Sequence, residues 1–249
     1  MQDDTAKTGS AQNYASIREE ADGIREMNQL NYWEQPEVVE RFAAREPDHR
    51  LVGLLADYQR PQSTRVLDLG CAGGRNTVYL VERGFDVWAI DASRAMVQRT
   101  RARIAAIAGP QIAEERVLVG SIDHLSRFGN EWFDLIVALG VYHHARTRAE
   151  WLRALAESSR VLKNDGRLLV NVFTPEVDLT GTGVHAVVGE TDVYDGLPDG
   201  RAVLVDADRL DRDMAQLGLH PQVRSETVRV ETQPGRRVSV NALYGKARG

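Results

Sequence analysis

Residues 65–93 read RVLDLGCAGGRNTVYLVERGFDVWAIDAS. Two short apolar runs, VLDLG and DVWAID, have the length of buried strands, and the acids Asp68 and Asp91 stand at their ends. Between them NTVYLVERG carries helical spacing and stops at Gly84. Strand, glycine-rich turn, helix and strand make one βαβ unit with a right-handed crossover. The alternation continues outward. RAMVQRTRARIAAIAG reads as a helix closed by Gly109 and Pro110, RVLVGS as a third strand and WFDLIVALGV as a fourth. RAEWLRALAESSRVLKND is a predicted helix ended by Gly166, and RLLVNVF is a fifth strand. The fold class is therefore α/β, a doubly wound and mostly parallel sheet.

Both flanks differ from this rhythm. Residues 1–60 read as a helical N-terminal cap over the main domain at 61–249, with a frayed polar start and Pro36 tolerated in a first helical turn. Residues 174–200 are rich in Gly, Thr and Asp and read as an insertion with at most short strands. ADRLDRDMAQLGL is a helix ending at Gly218. QVRSETVRVET and RRVSVNALYGKA then form a hairpin about a Gln-Pro-Gly turn, which sets antiparallel strands on the sheet near the C-terminus.

Composition narrows the class. The 249 residues are 43% hydrophobic and 27% charged, with a formal charge of -5, which argues against nucleic acid as the partner. A single cysteine, Cys71, cannot build a disulfide framework or a cysteine zinc site. None of the six histidines has metal-site spacing, so no metal is expected. No run is apolar enough for a membrane span and the N-terminal residues lack a signal-peptide core, so a cytoplasmic location is expected.

The opening stretch also specifies a ligand. In doubly wound sheets ligands bind beyond the carboxyl ends of the strands, where strand order reverses. Gly70, Gly73 and Gly74 permit a tight turn and close backbone approach, and Asp91 follows Gly70 by 21 residues, the spacing of a strand-end carboxylate on a ribose diol. The register does not match the dinucleotide fingerprint, and no Gly-Lys-Ser/Thr follows to hold a triphosphate. Asp68, two residues before Gly70, would repel a pyrophosphate and suits an ammonium. S-adenosylmethionine carries both an ammonium and a ribose diol.

VLDLGCAGG…DVWAIDAS, with VLVGSIDHLSRF, WFDLIVALGVYHH and AESSRVLKNDGRLLVNVF in order, resembles the class I S-adenosylmethionine-dependent methyltransferases over residues 66–173. The resemblance implies a Rossmann-like fold, S-adenosylmethionine as cofactor and S-adenosylhomocysteine as product. It places Asp68 on the methionine ammonium and the Gly70, Cys71, Ala72 and Gly74 backbone along methionine and ribose. It sets Asp91 on the ribose hydroxyls, Ala92, Ser121 and Ile122 about the adenine, and Leu139 beside the methionine backbone. Ala72 stands where the family often has glycine, tolerable if its backbone avoids positive φ, and Ser121 stands where the family often has an acid, with Asp123 a neighbouring substitute.

For the chemistry, His143 and His144 after the fourth strand are candidate bases, with His143 slightly favoured. Tyr14, Tyr32, Trp33 and His185 are candidate acceptor contacts. The expected activity is methyl transfer to oxygen or nitrogen of a small molecule, with a lean toward oxygen, in a secondary-metabolic setting, by a monomer or homodimer. An RNA or protein methyltransferase, or a non-catalytic cofactor-binding relative, stays open as an alternative.

Overall fold

A computed structural model describes residues 32–248. The sheet runs from β10 (Glu226–Glu231) through β11 (Arg236–Lys246), β5 (Leu162–Phe173), β4 (Phe133–Leu139), β1 (Arg65–Leu69) and β2 (Asp86–Asp91) to β3 (Val117–Val119), with β9 (Leu219–Pro221) paired to β11. The central strands β1, β2, β3, β4 and β5 lie parallel. β11 enters antiparallel between β5 and β10, as the expected C-terminal hairpin. Strand order reverses between β1 and β4, which places the ligand crevice above their carboxyl ends.

Strand alternation divides the core in two. Leu67 and Leu69 of β1, with Ile136 and Ala138 of β4, face Trp151, Leu155 and Leu210 from the helices Arg148–Val161 and Ala207–Ala215. Val66, Leu135 and Val137 point the other way, against Leu80 of the Arg75–Glu82 helix and Leu51 and Leu54 of the His49–Leu55 helix. A cap helix, Pro36–Ala43, rests Val38 and Val39 on Met96 of the Arg94–Ala108 helix.

Two details depart from the sequence reading, and a third goes beyond it. Pro110 does not merely end a helix; it opens another, Pro110–Arg116, as a proline at the first helical position can. The Arg148–Val161 helix stops short of Gly166: Leu162 is already extended and belongs to β5. Residues 174–205 are more ordered than their composition suggests. β6 (His185–Ala186), β7 (Val193–Leu197) and β8 (Gly200–Val203) form a separate antiparallel sheet, with Val177, Leu197, Ala202 and Leu204 buried together. Its glycines serve the turns: Gly181, Gly183, Gly189, Gly196 and Gly200 all have positive φ.

Candidate functional site

The turn after β1 is built for close approach. Gly70 has φ +68°, and a Cβ there would lie 2.5 Å from Val141, so only glycine fits. Its N–H and that of Cys71 donate to the Ile90 carbonyl at 2.8 and 3.0 Å, locking the turn to β2. Gly74, φ +82°, starts the Arg75–Glu82 helix, and a Cβ on it would meet Thr100 Oγ1 at 2.8 Å. Cys71 is buried, and burial pushes its thiol pKa well up, so it is no nucleophile.

Ala72 does not meet the condition for a harmless alanine. Its φ is +48°, in the left-handed region that costs an L-residue about 1 kcal/mol or more. Two bonds hold it there. Its N–H donates to Asp91 Oδ2 at 2.8 Å, and its carbonyl accepts from Thr100 Oγ1 at 2.6 Å. The strained residue thus ties the glycine turn to the acidic end of β2 and to the helix that follows it, beside the crevice, the kind of place where backbone strain gathers.

Asp68 is buried, and Thr77 Oγ1 donates to its Oδ2 at 2.6 Å. Burial raises its carboxyl pKa to about 7, against the opposing pull of the Thr77 bond and the Arg75 charge. An ammonium beside this carboxyl would favour its charged form. Asp91 accepts from Ser93 N–H at 2.9 Å as well as from Ala72. Burial raises its pKa too, against those two bonds. Each of its oxygens keeps a lone pair for a hydroxyl donor. The glycine cradle and the two carboxyls therefore fit S-adenosylmethionine.

Past Leu139 the chain turns through Gly140 and Val141 into a short 3-10 helix, Tyr142–His144. It leaves the two histidine rings close together, 4.3 Å between centroids, but in different surroundings. His143 is fully buried beside Phe173, ring centroids 4.2 Å apart, and its Nδ1 accepts from the Phe173 N–H at 3.4 Å. Burial, then the charge of His144, hold its pKa well below the ordinary value. His144 keeps some exposure and places Nδ1 2.6 Å from Asp199 Oδ2. Burial opposes its charged form, but the Asp199 carboxylate outweighs that and holds its pKa above normal. Asp199, buried at the β7–β8 turn, would be raised by burial; the His144 charge instead holds it down to about 2.

The cap closes over this corner. Trp33 meets His144 edge-on at 5.2 Å between centroids and Phe42 at 5.1 Å, and Tyr32 packs on Trp33 at 5.0 Å. The Trp33 carbonyl accepts from Ser93 Oγ at 3.1 Å. Glu34 accepts from the N–H groups of Arg94 and Ala95 at 2.7 and 3.1 Å, capping the helix that follows Asp91.

The remaining sequence candidates differ in burial. Ala92 and Ser121 are exposed, Ile122 packs partly on the core, and Leu139 joins the opposite core face. Asp123 is held by Ser121 Oγ and by Arg153 at 3.0 Å, so the acid near Ser121 is already engaged. His185 is exposed on β6, in register with Asp195 of β7, and Tyr14 lies outside the described residues. Among the described residues no cluster suits a metal, and no helix is long and apolar enough to cross a membrane. Sequence reasoning missed Thr77, Glu34 and above all Asp199. An aspartate in a Pro-Asp-Gly turn carries no signal of a histidine partner elsewhere in the chain.

A family model described as a methyltransferase domain matches residues 66–166. An uncharacterized protein of Methanocaldococcus jannaschii, MJ0638, is 30% identical over 123 residues, 49% of this chain and 47% of that protein. An uncharacterized methyltransferase of Mycobacterium tuberculosis, Rv3342, is 35% identical over 116 residues, 45% of this chain and 41% of that protein. The chain spans about half the length of the curated relatives it matches. A solved 1,6-didemethyltoxoflavin-N1-methyltransferase of Burkholderia thailandensis shares the fold at TM-score 0.59 and 22% identity, covering 95% of this chain and 90% of that one. The matched domain starts on β1 and ends within β5, so it contains the glycine turn, both acidic strand ends and the histidine pair; across that span the chain is similar to S-adenosylmethionine-dependent methyltransferases.

Proposed function

We propose that the protein transfers the methyl group of S-adenosylmethionine to an oxygen or nitrogen of a small-molecule acceptor, with His144 as the base and Asp199 as the residue that orients it. The observation that carries the proposal is the His144–Asp199 pair at 2.6 Å, set at the end of β4 beneath Trp33. S-adenosylmethionine, when bound, supplies a methyl on a sulfonium. The chain's own residues do the rest. Asp68 pairs with the ammonium, Asp91 accepts from the ribose hydroxyls, and the Gly70–Gly74 turn gives the ligand room. Ala92, Ser121 and Ile122 lie about the adenine, and Leu139 lies beside the methionine backbone. Trp33 and Tyr32 exclude water over the crevice, which strengthens the charge interactions inside it.

His144 is preferred over His143 on geometry. A base must reach the proton it removes. His143 is enclosed beside Phe173, whereas His144 borders the crevice and has a carboxylate behind it to stabilise the imidazolium. Residues 174–205 form the acceptor wall in this reading, and they supply Asp199. A small acceptor is also supported by a protein of the same fold that is named for methylating one and was solved with it and S-adenosylhomocysteine.

The test is methyl transfer from labelled cofactor across a panel of small phenols, alcohols and amines. His144→Gln is expected to slow turnover by about 10²–10⁴-fold, the range of a lost general base, with S-adenosylhomocysteine affinity retained. An undiminished rate in that variant would sink the base assignment. Asp91→Ala is expected to weaken the cofactor by about 1–3 kcal/mol in calorimetry, as loss of a charge-assisted hydrogen bond does.

A further inference from the structure

Arg41 and Arg45 sit one turn apart at the end of the cap helix. Arg41 Nη2 donates to the Tyr32 hydroxyl at 2.8 Å, and the Arg45 guanidinium lies over the Phe42 ring, 3.9 Å from its centroid. Neither is paired with a carboxylate among the described residues, although like charges one turn apart repel. A third arginine joins them from the sheet. Arg237 shares a face of β11 with Ser239 and Asn241, and Arg50 donates to Asn241 Oδ1. That bond lays the start of the His49–Leu55 helix on this face, so Arg237 lies further along it toward the link that carries Arg45. Arg237 has no carboxylate partner among the described residues either. Arg75 donates to the Glu46 carbonyl at 3.0 Å, but Asp48 offsets its charge at 3.6 Å.

Electrostatics agree with this placement. Burial first, then the charges of Arg75, Arg41 and Arg237, lower the pKa of Arg45. All three cluster arginines are exposed, whereas Arg99 pairs with Glu40 and Arg148 with Asp213. The unpaired cluster connects to the reaction centre through rings: Arg45 on Phe42, Phe42 against Trp33, Trp33 against His144.

We propose that Arg41, Arg45 and Arg237 recognise an anionic group, a carboxylate or a phosphate, on the methyl acceptor. The proposal rests on the methyl-transfer reading above. An acceptor whose reacting atom lies at His144 and whose body follows the Trp33 and Phe42 rings brings its far end to the guanidinium groups. Guanidinium forks suit both anions, through paired N–H···O bonds.

The experiment titrates full-length protein saturated with S-adenosylhomocysteine. Benzoate and phenyl phosphate are the anionic probes, and benzamide and benzyl alcohol are the neutral controls, all at low ionic strength in calorimetry. An anion preference of about tenfold is expected. The Arg45→Gln/Arg237→Gln double variant should lose it while holding S-adenosylhomocysteine as tightly as before. No anion preference in the wild type, or one that survives in the variant, overturns the proposal. So does a variant that loses S-adenosylhomocysteine affinity but keeps that for 5′-methylthioadenosine, because the cluster then serves the cofactor's own carboxylate. The methyl-transfer reading has a separate failure: wild-type protein that does not bind S-adenosylhomocysteine at all.

Discussion

Asp68 shows how one residue couples burial to ligand choice. In the ligand-free protein its pKa is raised to about 7, chiefly by burial. A folded pKa above the unfolded one means that its contribution to stability is present below about pH 4 and is lost as pH rises through 7. An ammonium beside the carboxyl reverses that penalty. Cofactor affinity should therefore rise with pH up to about 7, and binding at pH 6 should release a proton from Asp68. Calorimetry in buffers of different ionisation enthalpy measures the release. Asp68→Asn should abolish it, and a release that persists in the variant would assign the proton elsewhere. Asp68, Gly70, Gly74 and Asp91 were legible from residues 65–93 because one βαβ unit contains them all. The strain at Ala72 was not: a residue's φ follows from what pins it, and Asp91 and Thr100 do the pinning.

At the scale of the element, the insertion carries Asp199 at a hairpin tip, and a charged cluster holds the hairpin base. Arg148 bonds Asp213 and lies 3.6 Å from Asp192, which precedes β7. Trp151 Nε1 donates to Asp213 at 3.0 Å, and Arg209 reaches Asp192 at 3.1 Å. The Leu204 N–H closes the base on the Asp192 carbonyl at 3.0 Å. Removing Asp213 leaves the buried Trp151 indole without its acceptor and Arg148 with only the longer contact to Asp192. Asp213→Ala should therefore lower stability by about 3 kcal/mol in denaturant titration. Asp192→Ala should cost about 1 kcal/mol or less, because Asp192 itself is more exposed, 26% against 4% for Asp213. Equal costs would show that the cluster is not graded by burial. The segment's composition suggested a loop, since its glycines mark turns, while the buried Val193, Ala202 and Leu204 are too few and irregular to announce strands.

For the whole molecule, the cap packs on the very elements that form the crevice. Val38 and Val39 cover Met96, Arg103 bridges the carbonyls of Ala43 and Gly73, and a Cβ at Gly73 would lie 2.6 Å from that of Ala43. A ligand that orders the glycine turn should also steady the cap. Amide exchange over the Pro36–Ala43 helix is expected to slow when S-adenosylhomocysteine saturates the protein, alongside a global stabilisation of about 2.7 kcal/mol at a hundredfold excess over Kd. Unchanged exchange there would uncouple the cap from the site.

By itself the sequence determined what is local. Apolar runs of strand length, helix stops at glycine, the spacing from Gly70 to Asp91 and the antiparallel C-terminal hairpin all follow from backbone sterics and hydrophobic periodicity within a few dozen residues. The tertiary structure alone decided which distant groups meet. It buried His143 beside Phe173 and set His144 against Asp199 and Trp33. Those encounters depend on sheet order and on how an insertion folds back. Side chains far apart in the chain meet through the packing of whole elements, which no local pattern encodes.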